Sequence, residues 1–318
     1  MVSDKYQQYI KSYPFLTEEE LRQRAERRKA HPEIAGRVVS SMNMRGDIDF
    51  GGVDITIRVA YIMKAPFTIE EQGFVHNFHQ YIGFASSDPN DPNNLGGEAD
   101  FYFGQEGYKY SVNKNTIIHV PPGVVHCPLD FINIDRPLIW LEIFTSSKYL
   151  RTALYDIRQG ASKKSVSASE YAQNIKTAPF FSREELNEMN KKFPNSDENG
   201  PVLSIDGIKD FGGVDISAAL GFIKEPGPLS LKTHAHNYHQ YLCFLSSDYN
   251  NLDSLDGEVE ICFGEEKEKY VINKPTIIHI APGLVHCPLN ITKVDKAKPM
   301  VWLDVFTSPF YAVTAEYE

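Results

Sequence analysis

The chain contains the same unit twice, and this repeat constrains its fold more than any other feature of the sequence. Residues 112–129 (VNKNTIIHVPPGVVHCPL) and 272–289 (INKPTIIHIAPGLVHCPL) are identical at 13 of 18 positions. Residues 76–88 (HNFHQYIGFASSD) match residues 236–248 (HNYHQYLCFLSSD) at the same spacing of 160 residues. Further matches cover nearly all of both halves. The 318 residues are therefore a tandem duplication of a unit of about 150 residues.

Each copy opens with the sequence pattern of a helix start. A hydroxyl residue is followed three positions later by Glu, at Thr17 in the first copy and at Ser182 in the second. This spacing is typical of a capping box, in which the two side chains bind each other's backbone N–H groups. The pattern predicts helices over residues 18–30 and 183–192.

After each helix, short runs rich in Val, Ile, Phe and Tyr are separated by Gly, Pro, Asn and Asp. Several short strands joined by turns are typical of an all-β sandwich or barrel. The small, polar segment at residues 159–170 (QGASKKSVSASE) indicates a linker. We therefore place a helix and a first barrel at residues 1–158, the linker at 159–176, and a helix and a second barrel at 177–318.

The charge balance excludes several classes of partner. The chain has 32 Lys and Arg against 42 Asp and Glu, a net charge of −10, so it lacks the basic surface of a nucleic-acid binder. No apolar run reaches the roughly 18–20 residues of a membrane span, and the first residues show no signal peptide. We expect a cytoplasmic protein with no nucleic-acid or membrane partner. Its four cysteines, none in a C-x-x-C pair, are expected to be free thiols.

The second copy concentrates histidines in a metal-ligand pattern. His234, His236 and Gln240 lie on a predicted strand at even spacing, so they share one face. Beyond them, a Pro-Gly turn is expected to deliver His286 from a second strand. Three imidazoles placed in this way can form a three-nitrogen face on a transition metal. Such a face leaves the remaining coordination positions for water, substrate or dioxygen.

These motifs resemble those of the cupin superfamily, and the repeat makes the chain similar to a two-domain cupin, or bicupin. The first family motif is a Gly, then His-x-His-x(3,4)-Glu, then a Gly, and the second ends Pro-x-Gly-x-x-His-x-x-x-Asn. The matching residues here are Gly227, His234, His236, Gln240 and Gly257, then Pro282, Gly283, His286 and Asn290. The resemblance covers residues 45–150 and 205–311. It implies two tandem jelly-roll β-barrels (double-stranded β-helices) with a metal inside, bound by His234, His236, His286 and Gln240.

The chain departs from the family pattern in three ways. The usual Glu ligand is replaced by Gln240, which is a weaker ligand or only a hydrogen-bonding group. The next Gly is farther away than usual, so a loop is inserted there. In the first copy, Phe74 stands where His234 stands in the second, which leaves only His76, Gln80 and His126. We therefore expect a metal in the second barrel and a vestigial or structural first barrel.

The other histidines and two of the cysteines are expected to have packing roles. The histidines off the ligand face are assigned to the core, to an interdomain contact or to support of the ligands, and they are His79, His119, His239 and His279. Cys127 and Cys287 each follow a motif histidine directly. On an extended strand, successive side chains point to opposite faces, so neither thiol is expected to reach the metal.

Two acids and several aromatic residues near the motifs have less specific predictions. Glu142 and Asp304 stand at equivalent places in the strands WLEIF and WLDVF. The sequence leaves open whether they are buried acids in the barrels or part of a solvated strand face. Tyr238, Phe244 and Phe263 are expected to be ordinary core residues.

The ligand set suggests the class of substrate. Three neutral histidines leave the two positive charges of a metal ion uncompensated, which favours a small, chelating anion as substrate. With Fe(II), the metal that we favour, the resemblance implies an oxygenase of the non-haem iron dioxygenase type. With Zn, Mn or Ni, a Lewis acid implies an isomerase, a lyase or a decarboxylase.

Two further questions stay open at the level of the sequence. A non-enzymatic bicupin that binds a small molecule is the alternative to an enzyme, and no catalytic acid or base stands out. The helices before each barrel offer packing surfaces for a homodimer, whereas two barrels in one chain already form a pseudo-dimer.

Overall fold

The computed structural model of the chain describes residues 5–30, 35–157, 170–192 and 200–317. It divides the chain into two units. The first unit is Leu16–Ala178, and the second joins Met1–Phe15 to Pro179–Glu318. The expected linker falls mostly on residues 159–169, which lie outside the described residues. The expected first domain is corrected in one respect, because its N-terminal segment belongs to the second unit.

Two antiparallel sheets form the first unit. One sheet runs in the order β13 (Ile175–Thr177), β9 (Thr116–Val120), β6 (Gln80–Ser86), β11 (Leu138–Phe144), β3 (Thr56–Ile62) and β2 (Val38–Met44). The other runs in the order β12 (Ala153–Tyr155), β5 (Gly73–Val75), β10 (His126–Ile134), β7 (Gly97–Phe103) and β8 (Tyr108–Val112), and β4 (Phe67–Ile69) also pairs with β10. Phe84 and Ile118 of one sheet pack with Phe101 and Phe131 of the other.

The second unit repeats this arrangement. Its first sheet runs in the order β1 (Ile10–Ser12), β21 (Thr276–Ile280), β18 (Gln240–Leu245), β23 (Met300–Phe306), β15 (Ser217–Ile223) and β14 (Leu203–Ile205). Its second sheet runs in the order β20 (Glu268–Ile272), β19 (Gly257–Phe263), β22 (His286–Val294), β17 (Thr233–Ala235) and β24 (Ala315–Tyr317), and β16 (Gly227–Ser230) also pairs with β22. Two packed antiparallel sheets in each unit confirm the predicted all-β jelly-roll fold.

Both predicted helices are present, α1 (Glu18–Ala30) and α2 (Arg183–Lys192). Their capping boxes are formed as predicted. The Thr17 backbone N–H donates to Glu20 Oε2 at 2.8 Å, and the Glu20 N–H donates to Thr17 Oγ1 at 3.3 Å. Ser182 exchanges the same two bonds with Glu185. Neither helix, nor any other in the described ranges, is long and apolar enough to cross a bilayer.

A short strand precedes each helix, and this strand and the helix belong to different units. The strand before α1 joins a sheet of the second unit, and the strand before α2 joins a sheet of the first unit. In the second unit, Ile10 of β1 lies opposite Ile278 of β21. In the first unit, Ile175 of β13 lies opposite Ile118 of β9. This exchange of the first strands between the two units explains the corrected domain bounds. β1 precedes the first copy in sequence but belongs to the second barrel.

Candidate metal centre

Three histidines converge inside the second unit. His234 on β17 lies directly opposite His286 on β22 in the strand register, and their ring centroids are 4.3 Å apart. The ring of His236, just after β17, lies 5.0 Å from that of His286. All three residues are at most 4% exposed. The structure therefore brings the three sequence-predicted histidines together in one buried cluster.

Hydrogen bonds to the backbone orient each of these rings. The Nδ1 atoms of His234, His236 and His286 lie 2.7, 2.8 and 2.9 Å from backbone carbonyl oxygens. Because a carbonyl oxygen only accepts, each Nδ1 carries the ring proton and each Nε2 keeps its lone pair. Metal-binding histidines are typically held in this way, with the second nitrogen donating to a carbonyl or carboxylate.

Burial keeps the imidazoles of His236 and His286 neutral. Loss of hydration, together with a smaller effect of the neighbouring histidines, lowers the pKa of His286 to about 3. Loss of hydration also lowers the pKa of His236 below its usual value. A neutral imidazole has a free lone pair for a metal ion, so the cluster has the protonation state that a metal site needs.

The strand that was predicted to carry His234, His236 and Gln240 is interrupted. β17 ends at Ala235, and Gln240 begins β18 in the opposite sheet. The chain turns between the two sheets at this point, so strict alternation along one strand does not place Gln240. The predicted contact nevertheless forms, because the turn brings Gln240 back against His236.

Gln240 and His236 face each other with two acceptor atoms. Gln240 Oε1 lies 3.0 Å from His236 Nε2, which has no proton to donate when Nδ1 carries it. The amide nitrogen of Gln240 donates to both carboxylate oxygens of Asp304, at 2.9 and 3.0 Å. Turning the amide over would instead set its carbonyl against that carboxylate. A cation between Nε2 and Oε1 relieves this conflict, so the donor set fits a metal ion.

The acids Glu142 and Asp304 lie inside the units. Glu142 is buried and Asp304 is partly buried. Each accepts a hydrogen bond from the motif glutamine of its own unit: Gln80 donates to Glu142 at 3.1 Å, and Gln240 donates to Asp304. Burial raises the pKa of each carboxyl group to about 7. Of the two readings that the sequence left open, the structure supports the buried acid.

Cys287 corrects a prediction, because its thiol does not point away from the cluster. The ligand atoms of His234, His286 and Cys287 all lie within 4.8 Å of one another. The reason is local backbone geometry. Cys287 has a φ of 73°, and the pairing of β22 with β19 shifts register between His286 and Leu289, so the strand is not extended there. Burial raises the pKa of this thiol to about 12.

The first unit keeps the same framework without the third imidazole. Phe74 on β5 lies opposite His126, and their ring centroids are 4.3 Å apart, as in the His234–His286 pair. His76 Nε2 lies 3.0 Å from Gln80 Oε1. His126 Nε2 is buried and has no hydrogen-bond partner among the described residues. Across the described residues, the group of three His, Cys, Asp or Glu whose ligand atoms lie close enough for one metal ion is His234, His286 and Cys287, in the second unit.

The remaining histidines of the described residues form a pair in each unit, away from the cluster. His79 Nδ1 lies 2.8 Å from His119 Nε2, and His239 Nδ1 lies 2.8 Å from His279 Nε2. His279 lies on the face of β21 opposite to Ile278 and Ile280, which are in the barrel core. These rings therefore pack outside the barrel interior.

The site also contains two tyrosines, which the sequence analysis did not place there. The Tyr311 hydroxyl lies 2.8 Å from His234 Nε2. The Tyr238 ring, expected to be ordinary core, stacks on His236 with a centroid distance of 4.2 Å. One signal was available in the repeat, because Phe78 stands at the position equivalent to Tyr238 in the copy that lacks the third histidine. No comparable signal points to Tyr311, because the first copy also has a tyrosine there, Tyr149.

Comparison with solved structures returns oxalate decarboxylases. A variant of the Bacillus subtilis enzyme is 12% identical, and the match covers 86% of this chain and 74% of that chain with a TM-score of 0.50. An oxalate decarboxylase structure concerned with proton-coupled electron transfer matches at 13% identity, the same two coverages and a TM-score of 0.50. The Lactobacillus farciminis oxalate decarboxylase–formate complex is 15% identical, with coverages of 86% and 82% and a TM-score of 0.49.

At the level of sequence, neither a family model nor a curated protein matches the chain. At this identity, the structural likeness establishes the fold. The architecture of two repeated jelly-roll units agrees with the motifs read from the sequence. The chain has the two-domain cupin fold.

Proposed function

We propose that the second unit binds a divalent transition metal through His234, His236 and His286, with Gln240 Oε1 as a further donor. The observation that carries this proposal is the orientation of the three rings. Each Nδ1 is tied to a carbonyl, and the Nε2 lone pairs remain as donors in a buried cluster. We further propose that the first unit has no metal, since Phe74 replaces the third imidazole.

The donor set favours a metal that accepts both nitrogen and oxygen ligands. Imidazole binds Zn, Fe, Ni and Cu well, and a carbonyl oxygen suits Mn. Cys287 Sγ is near His234 and His286, but the raised pKa of its thiol opposes formation of a thiolate. We therefore propose a three-histidine site with an amide oxygen, and we take Mn(II) as the first metal to test.

We propose that this site acts on a small dicarboxylate such as oxalate, as a lyase of the decarboxylase class. The three histidines and the glutamine are neutral, so a chelating dianion compensates the charge of a divalent ion. The oxygenase that the sequence analysis favoured has less support than its Lewis-acid alternative. Solved structures that match this chain with a TM-score of 0.50 include oxalate decarboxylases.

The residues of the chain have defined parts in this reaction. When bound, the metal supplies a Lewis acid that polarises a carboxylate of the substrate. Asp304 positions Gln240 through two hydrogen bonds, and the buried rings exclude bulk water. Cleavage of the C–C bond of oxalate releases carbon dioxide, and the electron pair left on the second carbon takes up one proton to give formate. The net reaction uses no external oxidant or reductant.

The proposal is tested by metal content and by product formation. We expect about one equivalent of Mn per chain after loading, because one unit has the complete donor set. We expect formate and carbon dioxide in equal amounts from oxalate. Replacing His286 by Ala should abolish both metal binding and turnover. The matched variant His126→Ala, at the equivalent place in the first unit, should keep both.

Three outcomes would contradict the proposal in different ways. Normal metal content in His286→Ala would remove the metal assignment. Binding of oxalate by the Mn-loaded protein without any product would favour the non-enzymatic binding protein. Consumption of dioxygen in proportion to the substrate would restore the oxygenase.

A further inference from the structure

We propose that Tyr311 is the residue of the second unit that donates a hydrogen bond to the metal-bound anion, and that Tyr238 positions it. This inference rests on the proposed function of the same site and adds a residue that recognises the substrate. It is carried by the contacts of the two tyrosines and by the differences between the two units.

The Tyr311 hydroxyl already donates into the cluster. Its oxygen lies 2.8 Å from His234 Nε2, and that nitrogen accepts because Nδ1 of the same ring carries the proton. A tyrosine phenol titrates at about pH 10, so the hydroxyl keeps its proton at neutral pH. The phenol therefore uses the same lone pair that a metal ion needs.

Binding of a metal must displace this hydrogen bond. A lone pair that coordinates a metal ion no longer accepts a proton, so the hydroxyl loses its partner at His234. Tyr311 is 52% exposed, so its ring lies at the edge of the cluster and not in the core. A carboxylate oxygen of an anion bound next to His234 is then the acceptor within its reach. A hydrogen bond to a charged acceptor is stronger than one between neutral groups.

Tyr238 ties the segment that bears Tyr311 to the histidine cluster. Its ring stacks on His236 with an interplanar angle of 1°, and its hydroxyl oxygen accepts a hydrogen bond of 3.2 Å from the backbone N–H of Ala312. Phe306 lies between the two tyrosines, with ring centroids 5.9 Å from Tyr238 and 6.1 Å from Tyr311. One side of the Tyr311 segment is therefore fixed, and its hydroxyl is aimed at the cluster.

The first unit, which lacks the third histidine, also lacks this arrangement of two tyrosines. Tyr149 stands in the position of Tyr311, but its ring packs 6.0 Å from the ring of Phe74, which offers no acceptor. Phe78 stands in the position of Tyr238 and stacks on His76 at 4.1 Å, but it has no hydroxyl. The hydroxyl of the positioning residue thus occurs in the unit that has the third histidine.

The test measures two affinities that should move in opposite directions. The variant is Tyr311→Phe, and the method is isothermal titration calorimetry of the full chain. Oxalate should bind the Mn-loaded variant about tenfold more weakly than the wild type, because one charged hydrogen bond is lost. Mn(II) without oxalate should bind the variant about threefold more tightly, because the metal no longer competes with the phenol for His234 Nε2.

A general loss of structure would weaken both affinities, so opposite shifts distinguish recognition from misfolding. Tyr238→Phe keeps the stacked ring and removes the hydroxyl, and it should move both affinities in the same directions by smaller factors. Tyr149→Phe is the matched control in the first unit and should change neither.

Two outcomes separate this inference from the proposed function. Equal oxalate affinities of the wild type and Tyr311→Phe would overturn the role of Tyr311 and leave the metal site intact. No binding of oxalate by the Mn-loaded wild type would overturn the proposed substrate class.

Discussion

At the scale of single residues, one side chain separates the two histidine clusters. Phe74 and His234 occupy equivalent places, each opposite the histidine that begins the partner strand and each with a ring distance of 4.3 Å. The first unit retains His76, Gln80 and a buried His126 Nε2 without a hydrogen-bond partner in the described part of the chain. Its framework is therefore that of the second unit with one imidazole missing.

The first prediction is that the missing ligand can be restored. Phe74→His should supply the third imidazole. The Arg151 guanidinium, which is paired with Glu70, lies 5.4 Å from the Phe74 ring and would repel a cation there. We therefore expect the double variant Phe74→His with Arg151→Val to bind about two equivalents of Mn per chain instead of about one. Inductively coupled plasma mass spectrometry measures this stoichiometry.

Two controls accompany this prediction. Arg151→Val alone removes the positive charge without adding a ligand, and Phe74→Leu with Arg151→Val opens the site without a nitrogen donor. Both should stay at the wild-type stoichiometry. If the double variant with His also stays there, the framework of the first unit is not equivalent to that of the second.

The second prediction concerns the glycine of the turn that precedes His286. Gly283 has a φ of 78°, and its N–H donates to the backbone oxygen of His236 at 2.7 Å. A Cβ there would meet nothing within 4 Å, so the cost of Gly283→Ala is conformational. We expect a loss of about 1–2 kcal/mol in the free energy of unfolding, the cost of a left-handed L-residue.

Denaturant unfolding measures this loss. The comparison variant is Gly221→Ala on β15, where an added Cβ would make an ordinary contact of 3.4 Å with Pro201. It should change stability by less than about 1 kcal/mol, since the backbone there is extended. An equal loss in both variants would show that the turn geometry is not the cause.

At the scale of elements, the exchange of the first strands is the feature with the clearest consequences. β1 extends the sheet of the second unit, and the side chain ahead of it enters that unit's core. Tyr6 is 7% exposed, its ring lies 5.5 Å from that of Phe263, and its hydroxyl donates to Glu266 at 2.9 Å. Tyr171 packs on Phe103 in the same way in the first unit, at 5.3 Å.

The third prediction is that damage to the first strand region destabilises the second unit. Tyr6→Ala removes a buried aromatic ring and should cost about 3 kcal/mol of unfolding free energy. Hydrogen–deuterium exchange should show lost protection in β21 and unchanged protection in β9. The reciprocal variant Tyr171→Ala should give the opposite pattern.

Tyr13→Ala serves as the control for this prediction, because Tyr13 is 37% exposed and contributes less buried surface. Its exchange pattern should match that of the wild type. Loss of protection in β9 after Tyr6→Ala would contradict the assignment of the N-terminal segment to the second unit.

At the scale of the whole molecule, buried histidines make stability depend on pH. Burial lowers the pKa of His119 to about 3 and that of His279 to about 4, from an ordinary value of 6.5. The folded chain therefore keeps these rings neutral at a pH where the unfolded chain binds protons. Stability rises with pH wherever the unfolded state binds more protons, so acid lowers it.

The fourth prediction follows from this linkage. Between pH 6.5 and about pH 4, His279 alone should cost about 1.4 kcal/mol per pH unit, or about 2 kcal/mol at pH 5. His119 should contribute a similar slope that continues to lower pH. Equilibrium denaturation at several pH values measures the total.

The variants His119→Gln and His279→Gln remove the titrating groups while keeping a polar side chain. Each should make the dependence of stability on pH shallower over this range. A wild-type stability that stays constant from pH 7 to pH 5 would contradict the buried, neutral state of both rings.

The sequence by itself was sufficient for the fold class and for much of the candidate site. The capping boxes and the short apolar runs are local patterns that predicted the two helices and the all-β class, and the resemblance to the cupin superfamily implied the jelly roll. His234, His236 and His286 could be proposed as ligands because the second copy carries a His-x-His pair and a Pro-Gly-x-x-His segment. The replacement of His234 by Phe74 could also be read from the alignment of the copies.

Only the tertiary structure decided the contacts between distant residues. β1 pairs with a strand more than 260 residues away, and the Tyr311 hydroxyl reaches a histidine 77 residues away, so neither contact has a local signal. Strand alternation also failed at two points. The chain changes sheets between His236 and Gln240, and Cys287 adopts a positive φ. Periodicity predicts the direction of a side chain only while the strand stays extended, and the metal-ligand motifs lie where the strands bend.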